Sequence, residues 1–211
     1  MVRNAKMRFA RAPSLPHNAC VTRDADKWDA RYRDTAETPA ARVLMENVHL
    51  LPSRGRALDL ACGLGANALV LAANGLETFA WDSSDVAIEK LVGLARARGV
   101  HVHAAVRDVV QHPPEPQAFD VLVVSRFLDR SLTPHLIAAL RPHGLLYYQT
   151  FTRTRIGDNG PHDPAYLLED SELLTMFARL QPLVYREEGL VGDTRRGLRG
   201  QAMLVARARS H

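Results

Sequence analysis

Cysteine is scarce: the 211 residues hold two, Cys20 and Cys62. That number excludes a disulfide framework and a four-cysteine zinc site. No apolar run approaches ~18 residues, which excludes a membrane-spanning helix. No apolar signal-peptide core lies near the start, so the expected setting is reducing and cytoplasmic. Acids are absent from residues 1–23, where Arg3, Lys6, Arg8, Arg11 and Arg23 stand. The net charge of +4 therefore belongs to this leader, and the rest of the chain sums to −1. A near-neutral body argues against a nucleic-acid partner. Residues 1–24 also lack an apolar period. The expectation is a flexible leader followed by a single domain over 25–211.

What is present is the composition of an ordinary globular protein, 46% hydrophobic and 24% charged. From Trp28 onward, short β-rich runs alternate with helix-length amphipathic stretches. Expected strands are Arg56–Leu60, Glu77–Trp81, His101–Val106, Phe119–Val124 and Gly144–Gln149, then two more at Leu183–Leu190 and Gln201–Ala208. Expected helices are Pro39–Leu50 with Pro39 at its first position, Ala66–Asn74, Ser84–Arg98, one opening at Thr133-Pro134, and Asp170–Arg179. The third helix should bury Ile88, Leu91, Val92 and Ala95. The last should turn Leu173, Leu174 and Phe177 inward. Alternating strands and helices predict an α/β fold, a doubly wound parallel sheet with helices on both faces. Its ligand crevice should lie outside the carboxyl ends of the strands.

The residues at those ends carry the chemistry. The first strand runs into Asp59-Leu60-Ala61-Cys62-Gly63-Leu64-Gly65-Ala66-Asn67. Gly63 and Gly65 permit a tight turn and close approach of a ligand. Gly63-x-Gly65-x-x-Ala68 also fits a dinucleotide fingerprint. Asp59, four residues before Gly63, opposes that reading, because a carboxylate repels a pyrophosphate. It suits a cationic or amine-bearing ligand, or it hydrogen-bonds the turn amides. Asp82 ends the second strand 17 residues after Gly65, a position that suits two ribose hydroxyls. Asp108 follows the third strand and can accept from an exocyclic amine such as that of adenine.

The run DLACGLGANALVLAANGLETFAWD resembles the first two motifs of class I S-adenosylmethionine-dependent methyltransferases. It is most similar to the tellurite-resistance methyltransferase group, with a D-x-x-C-G-x-G-x-N turn followed by L-A-x-x-G and A-W-D. Lys27-Trp28-Asp29-x-Arg31-Tyr32, Arg107-Asp108 and Leu140-Arg141-Pro142-His143-Gly144 extend the match to roughly residues 27–151. Two departures are Ala61, where the group has glycine, and His143 in place of the first glycine of its L-x-P-G-G turn.

The resemblance implies a Rossmann-like sheet of seven strands, with an antiparallel last strand between the fifth and sixth. It implies S-adenosylmethionine as cofactor and direct in-line methyl transfer to a small-molecule acceptor. Ala61, Gly63 and Gly65 would contact the methionine part, and Asp59 would order that loop or meet the ammonium. Asp82, with Ser83 beside it, would hold the ribose, and Asp108 and Val109 would border the adenine. Ser125 and Arg126 would lie near the sulfonium and the substrate. Arg31 and Tyr32 would close over the cofactor.

A chalcogen oxyanion, a thiol or another anionic compound is the expected acceptor, met by Arg126, Arg153 and Arg155. Soft nucleophiles need no general base; otherwise His135, His143, His162 and Tyr147 are candidates, with Arg126 a further catalytic candidate. No Asn-Pro-Pro-Tyr run follows the fourth strand, which argues against methylation of adenine in nucleic acid. Cys62 is expected to be a small buried residue. His101 and His103 are expected to protect an edge strand, not to hold a metal. The competing readings are a non-catalytic S-adenosylmethionine-binding protein and a nicotinamide-dependent oxidoreductase.

Overall fold

The computed structural model describes residues 22–209 apart from 36, 158 and 159. Its one sheet has strands in the order β3-β2-β1-β4-β5-β7-β6. These are β1 (Arg56–Leu60), β2 (Glu77–Asp82), β3 (Val102–Val106), β4 (Phe119–Ser125), β5 (Leu140–Phe151), β6 (Gln181–Glu187) and β7 (Gln201–Arg207). The helices are α1 (Thr22–Arg33), α2 (Arg42–Met45), α3 (Ala66–Ala73), α4 (Asp85–Ala97), α5 (Thr133–Ala139) and α6 (Glu172–Met176). Strands β1 to β5 run parallel, and β7 pairs antiparallel with both β5 and β6. This is the expected doubly wound sheet, with its reversed last strand between the fifth and sixth. No helix among the described residues is long and apolar enough to cross a membrane.

Strand β4 shows why the sheet is covered on both sides. Leu122 and Val124 join Leu58, Leu60, Leu136 and Leu173 in one core. Val121 and Val123 join Val43, Leu44 and Leu71 in another. A smaller core, with Ala68, Leu69, Ile88 and Leu91, welds α3 and α4 to β2. Each fully buried leucine contributes roughly 1.5–3 kcal/mol. The cores hold the middle of the sheet and leave its carboxyl edge to the loops.

Several local expectations are corrected. The helix expected over Pro39–Leu50 is only the short α2 and a separate 3-10 turn at Val48–Leu50. Two distant side chains intervene. The Ala41 amide donates to Asn67 Oδ1 at 2.8 Å and the Val43 amide to Gln149 Oε1 at 2.7 Å. Ala41 is extended, so Pro39 is not a first helical residue. Val92 is 53% exposed and Leu174 36%, because both sit at the margins of stripes centred on Leu91 and Leu173. The turn expected before the fifth strand lies inside β5 as a register shift, with His143 left-handed at φ 63°. Of the leader expected over 1–24, residues 1–21 lie outside the described residues, whereas 22–24 open α1.

His101 precedes β3, the edge strand, and its ring meets that of His103, which stacks on Phe79. Among the described residues no three His, Cys, Asp or Glu side chains converge as a metal site needs.

Candidate cofactor and active site

The chain leaves β1 through a strained turn. Ala61, Gly63 and Gly65 all have left-handed backbones, with φ of 52°, 52° and 73°. The Cys62 amide bonds the Trp81 carbonyl at 2.9 Å, and the Gly65 amide bonds Cys62 O at 2.9 Å. Both glycines are closely approached, and their left-handed backbones disfavour a side chain. A Cβ on Gly65 would lie 2.3 Å from Leu91 Cδ1, and one on Gly63 would lie 2.8 Å from Tyr32 Oη. Ala61 adopts a backbone that costs an L-residue roughly 1–2 kcal/mol. That cost is the physical meaning of the departure from glycine at this position. One strand away, Arg126 is also left-handed, at φ 55°. Leu60 and Val124 are paired across β1 and β4. Two strained non-glycine residues therefore flank the point where successive strands diverge to opposite sides. Strain and crevice coincide there, as at functional sites.

The three acids at the strand ends differ in what they hold. Asp59 is wholly buried. Its Oδ2 accepts from the Ala68 amide at 3.0 Å and its Oδ1 from Asn67 Nδ2 at 3.2 Å. It anchors the first turn of α3 from beneath, the turn-ordering alternative of its two expected roles. Burial, opposed by those two donors, pushes its carboxyl up to about 7. Asp82 ties the glycine turn to the start of α4. Its Oδ2 accepts from the Gly63 amide at 2.7 Å and its Oδ1 from the Ser84 amide at 3.0 Å. A carboxylate has about four acceptor positions; the Ser83 amide also draws on this one, and acceptor capacity is left for a hydroxyl donor. Burial again raises its pKa. Asp108 uses Oδ1 alone, for the Val110 and Gln111 amides at 2.9 and 3.1 Å, which leaves Oδ2 for an amine donor. Val109 beside it is 5% exposed.

The other wall comes from β4 and α1. Ser125 Oγ accepts from Asn67 Nδ2 at 3.0 Å. Arg126 is exposed, with its amide tied to Gln149 O at 2.8 Å. Tyr32 stacks on Trp28 at 5.9 Å, and the Arg31 guanidinium lies 5.3 Å over the Trp28 ring. Burial, then the charge of Asp82, hold the Tyr32 phenol well above its ordinary pKa, against Arg31 and Arg126. Its hydroxyl therefore stays protonated. The glycine turn, a carboxylate with acceptor capacity for a hydroxyl, and a second acid with one oxygen left for an amine fit an adenosyl amino acid.

Comparison with known proteins agrees. The family model for tellurite resistance protein TehB matches residues 20–153, more than half of the chain. The chain belongs to the TehB family. It is an S-adenosylmethionine-dependent methyltransferase with a Rossmann-like fold. The crystal structure of TehB from Haemophilus influenzae is similar at 21% identity and a TM-score of 0.65, covering 88% of this chain and 67% of that one. A methyltransferase from Methanosarcina mazei matches at 18% identity and a TM-score of 0.64, with 82% and 100% covered. A protein of echinomycin biosynthesis, described with the conversion of a disulfide bond into a thioacetal group, matches at 23% identity and a TM-score of 0.66, with 88% and 92% covered. Among curated proteins none matches by sequence.

The family's turn asparagine is the main residue that sequence reading undervalued. Asn67 is 4% exposed and joins Asp59, Ser125 and the Ala41 amide, so it links β1, β4 and the approach to α2. Its place in the D-x-x-C-G-x-G-x-N run was the available signal. Arg107 was also missed. Its guanidinium sits 3.9 Å over the Trp81 ring and donates to the His112 and Pro113 carbonyls.

Two candidates, Tyr147 and His143, are corrected. Tyr147 is wholly buried in a core, and its hydroxyl donates to Asn47 O at 3.2 Å. It is a packing residue, because both faces of β5 are covered. Tyr147→Phe should leave turnover unchanged and cost about 1 kcal/mol of stability, read by steady-state kinetics and urea unfolding. A large fall in turnover would return Tyr147 to the catalytic candidates. His143 lies near the amino end of β5, opposite the crevice. His162 lies against Arg155, and His135 is exposed in the first turn of α5. Cys62 is 9% exposed and burial keeps it a thiol, as expected. Arg153 pairs with Glu169, and Arg155 donates to Pro161 O at 2.6 Å, so both are engaged within the protein.

Proposed function

We propose that this methyltransferase acts on a small anionic or soft nucleophilic acceptor, a chalcogen oxyanion or a thiolate, in the cytoplasm. The observation that carries the reading is Arg126. A strained backbone at the end of β4 presents an exposed side chain whose charge reaches the Tyr32 phenol, while Arg153 is committed to an ion pair. Burying an amine acceptor beside this arginine would cost like-charge repulsion.

When bound, S-adenosylmethionine supplies a methyl group on sulfonium sulfur, which keeps the electron pair when the acceptor takes the methyl. The protein's part is positioning, which supplies ~7–11 kcal/mol of barrier lowering in favourable cases. In this reading Ala61, Gly63 and Gly65 bring backbone to the amino-acid end, Asp82 and Ser83 hold the diol, and Asp108 and Val109 border the base. Asp59 keeps the turn in shape. Tyr32 and Arg31 cover the crevice and exclude water. Ser125 and Arg126 orient the acceptor, and a soft acceptor needs no general base. All these positions lie between Arg31 and Arg126. Residues 1–22, basic and without acids, are proposed to be dispensable for folding. Nucleic acid and membrane are not proposed as partners.

The test is methyl transfer by wild type and Arg126→Ala to tellurite, selenite, thiols, carboxylates and amines. Wild type should methylate anionic or thiol acceptors, and Arg126→Ala should raise KM for oxyanions about tenfold or more. Methylation of amines alone, or unchanged oxyanion kinetics in the variant, would reject the reading.

A further inference from the structure

Helix α1 is attached to the domain in an unusual way. Among the described residues, none of the side chains from Asp26 to Arg33 enters any of the three cores. Asp26, Lys27, Ala30, Arg31 and Arg33 are exposed, and Trp28 and Tyr32 are only partly covered. A twelve-residue helix is marginal alone, so its docking must come from elsewhere. It comes from the two ends of a helix pair. Asp29, in the middle of α1, puts its carboxylate at the amino end of α4. There it accepts from the hydroxyl of the α4 cap, Ser84, and from the Val86 amide at 3.4 Å. Lys90, on α4, returns the arrangement. Its ammonium donates to the carbonyls of Tyr32 at 2.6 Å, Arg33 at 2.8 Å and Thr35 at 3.2 Å. Those carbonyls lie at and just beyond the end of α1, where the helical ladder stops; the Thr35 amide adds one contact to Tyr32 O at 3.3 Å. Each helix therefore caps the other with a charge of the sign its dipole favours.

The two caps bracket Tyr32, whose hydroxyl stands against Gly63. Asp29 also faces Asp82, whose pKa it raises, so one half of the contact is set against a like charge. An element held by charged caps opens without unmaking a core, as low-stability segments do.

We propose that Asp29 and Lys90 are positioning residues forming a latch, and that α1 is a lid whose closure over the glycine turn sets how long the cofactor stays. This rests on the cofactor reading of Gly63 and Asp82. In the closed position Tyr32 lies against the turn that the amino-acid end of the cofactor approaches, so exchange of cofactor for product requires the latch to release. Lys90→Met keeps the aliphatic stem and removes all three donors. Asp29→Asn keeps an acceptor and removes the charge.

The experiment measures S-adenosylhomocysteine dissociation by stopped flow, with amide hydrogen exchange and urea midpoints on the same full-length proteins. Lys90→Met should speed dissociation about tenfold, Asp29→Asn by less, and Lys90→Arg should recover part of the loss. Amides of residues 26–35 should exchange faster, with β1 and β4 unaffected and the urea midpoint unmoved. Unchanged dissociation from both variants, in a wild type that binds the ligand, would overturn the latch. Loss of protection spread over β1 and β4 would reduce the two residues to a structural role and overturn it as well. Failure of wild type to bind S-adenosylhomocysteine would instead reject the cofactor reading. The latch would then be decided by exchange alone: faster exchange confined to α1 supports it, and unchanged exchange overturns it.

Discussion

Asp82→Ala is expected to weaken S-adenosylhomocysteine binding about tenfold to more than a hundredfold, equivalent to ~1.5–3 kcal/mol for hydrogen bonds to a charged group. The carboxylate already accepts the Gly63 and Ser84 amides, one on each oxygen. It thereby ties the glycine turn to the start of α4 and fixes the direction of its remaining acceptor positions. A ligand diol meeting them gains charge-assisted bonds without reorganising the site. Alanine removes those bonds and also releases the turn, so the loss should appear as lower affinity at a temperature where the variant remains folded. Calorimetric titration measures it, and urea unfolding of the ligand-free variant records the separate cost of the orphaned amides, ~1–3 kcal/mol each. Unchanged affinity would remove Asp82 from the ribose site.

The strands were readable because each is a short apolar run stopped by a turn residue. Arg56–Leu60 and Phe119–Val124 needed no distant information. The reversed β7 was different: periodicity showed two final strands, and only the motif resemblance supplied their order. Helix α2 was misread because its limits depend on Asn67 and Gln149, 26 and 106 residues away in the chain. No local pattern encodes such a capture. Tyr147 and Tyr148 were indistinguishable for a related reason. Both are buried, on opposite faces of β5, and an alternating pattern separates buried from exposed only where one face meets water. The acids were located at the strand ends by spacing alone, yet spacing could not say that Asp59 is enclosed while Asp82 borders the crevice. The opening of α1 was assigned to the leader because the helix carries no apolar stripe. Its partners, Ser84 and Lys90, lie on another helix, and composition does not reveal a cap supplied across space.

The enclosure of Asp59 has a consequence for stability against pH. Its carboxyl is pushed up to about 7, first by burial, with Asp82 adding and the Asn67 and Ala68 donors opposing. In the unfolded chain it returns to about 3.9. Between these values the folded protein holds a proton that the unfolded chain has released. The stabilisation is complete below pH ~4 and is lost as pH rises through 7, by an amount on the order of a few kcal/mol. Glu172, held low by its hydrogen bond from Arg130, acts in the opposite direction and loses its contribution as pH falls. Comparison with Asp59→Asn separates the two, because Glu172 titrates in both proteins. The variant forfeits one good acceptor contact, since an amide cannot accept on both sides, but that cost does not vary with pH. Urea midpoints of the ligand-free proteins from pH 5 to 8 should therefore show the advantage of wild type over Asp59→Asn shrinking steadily. A difference independent of pH would mean that Asp59 is already ionised at pH 5. The glycine turn would then rest on a buried charge held by Asn67 and the Ala68 amide, and not on a carboxyl that keeps its proton.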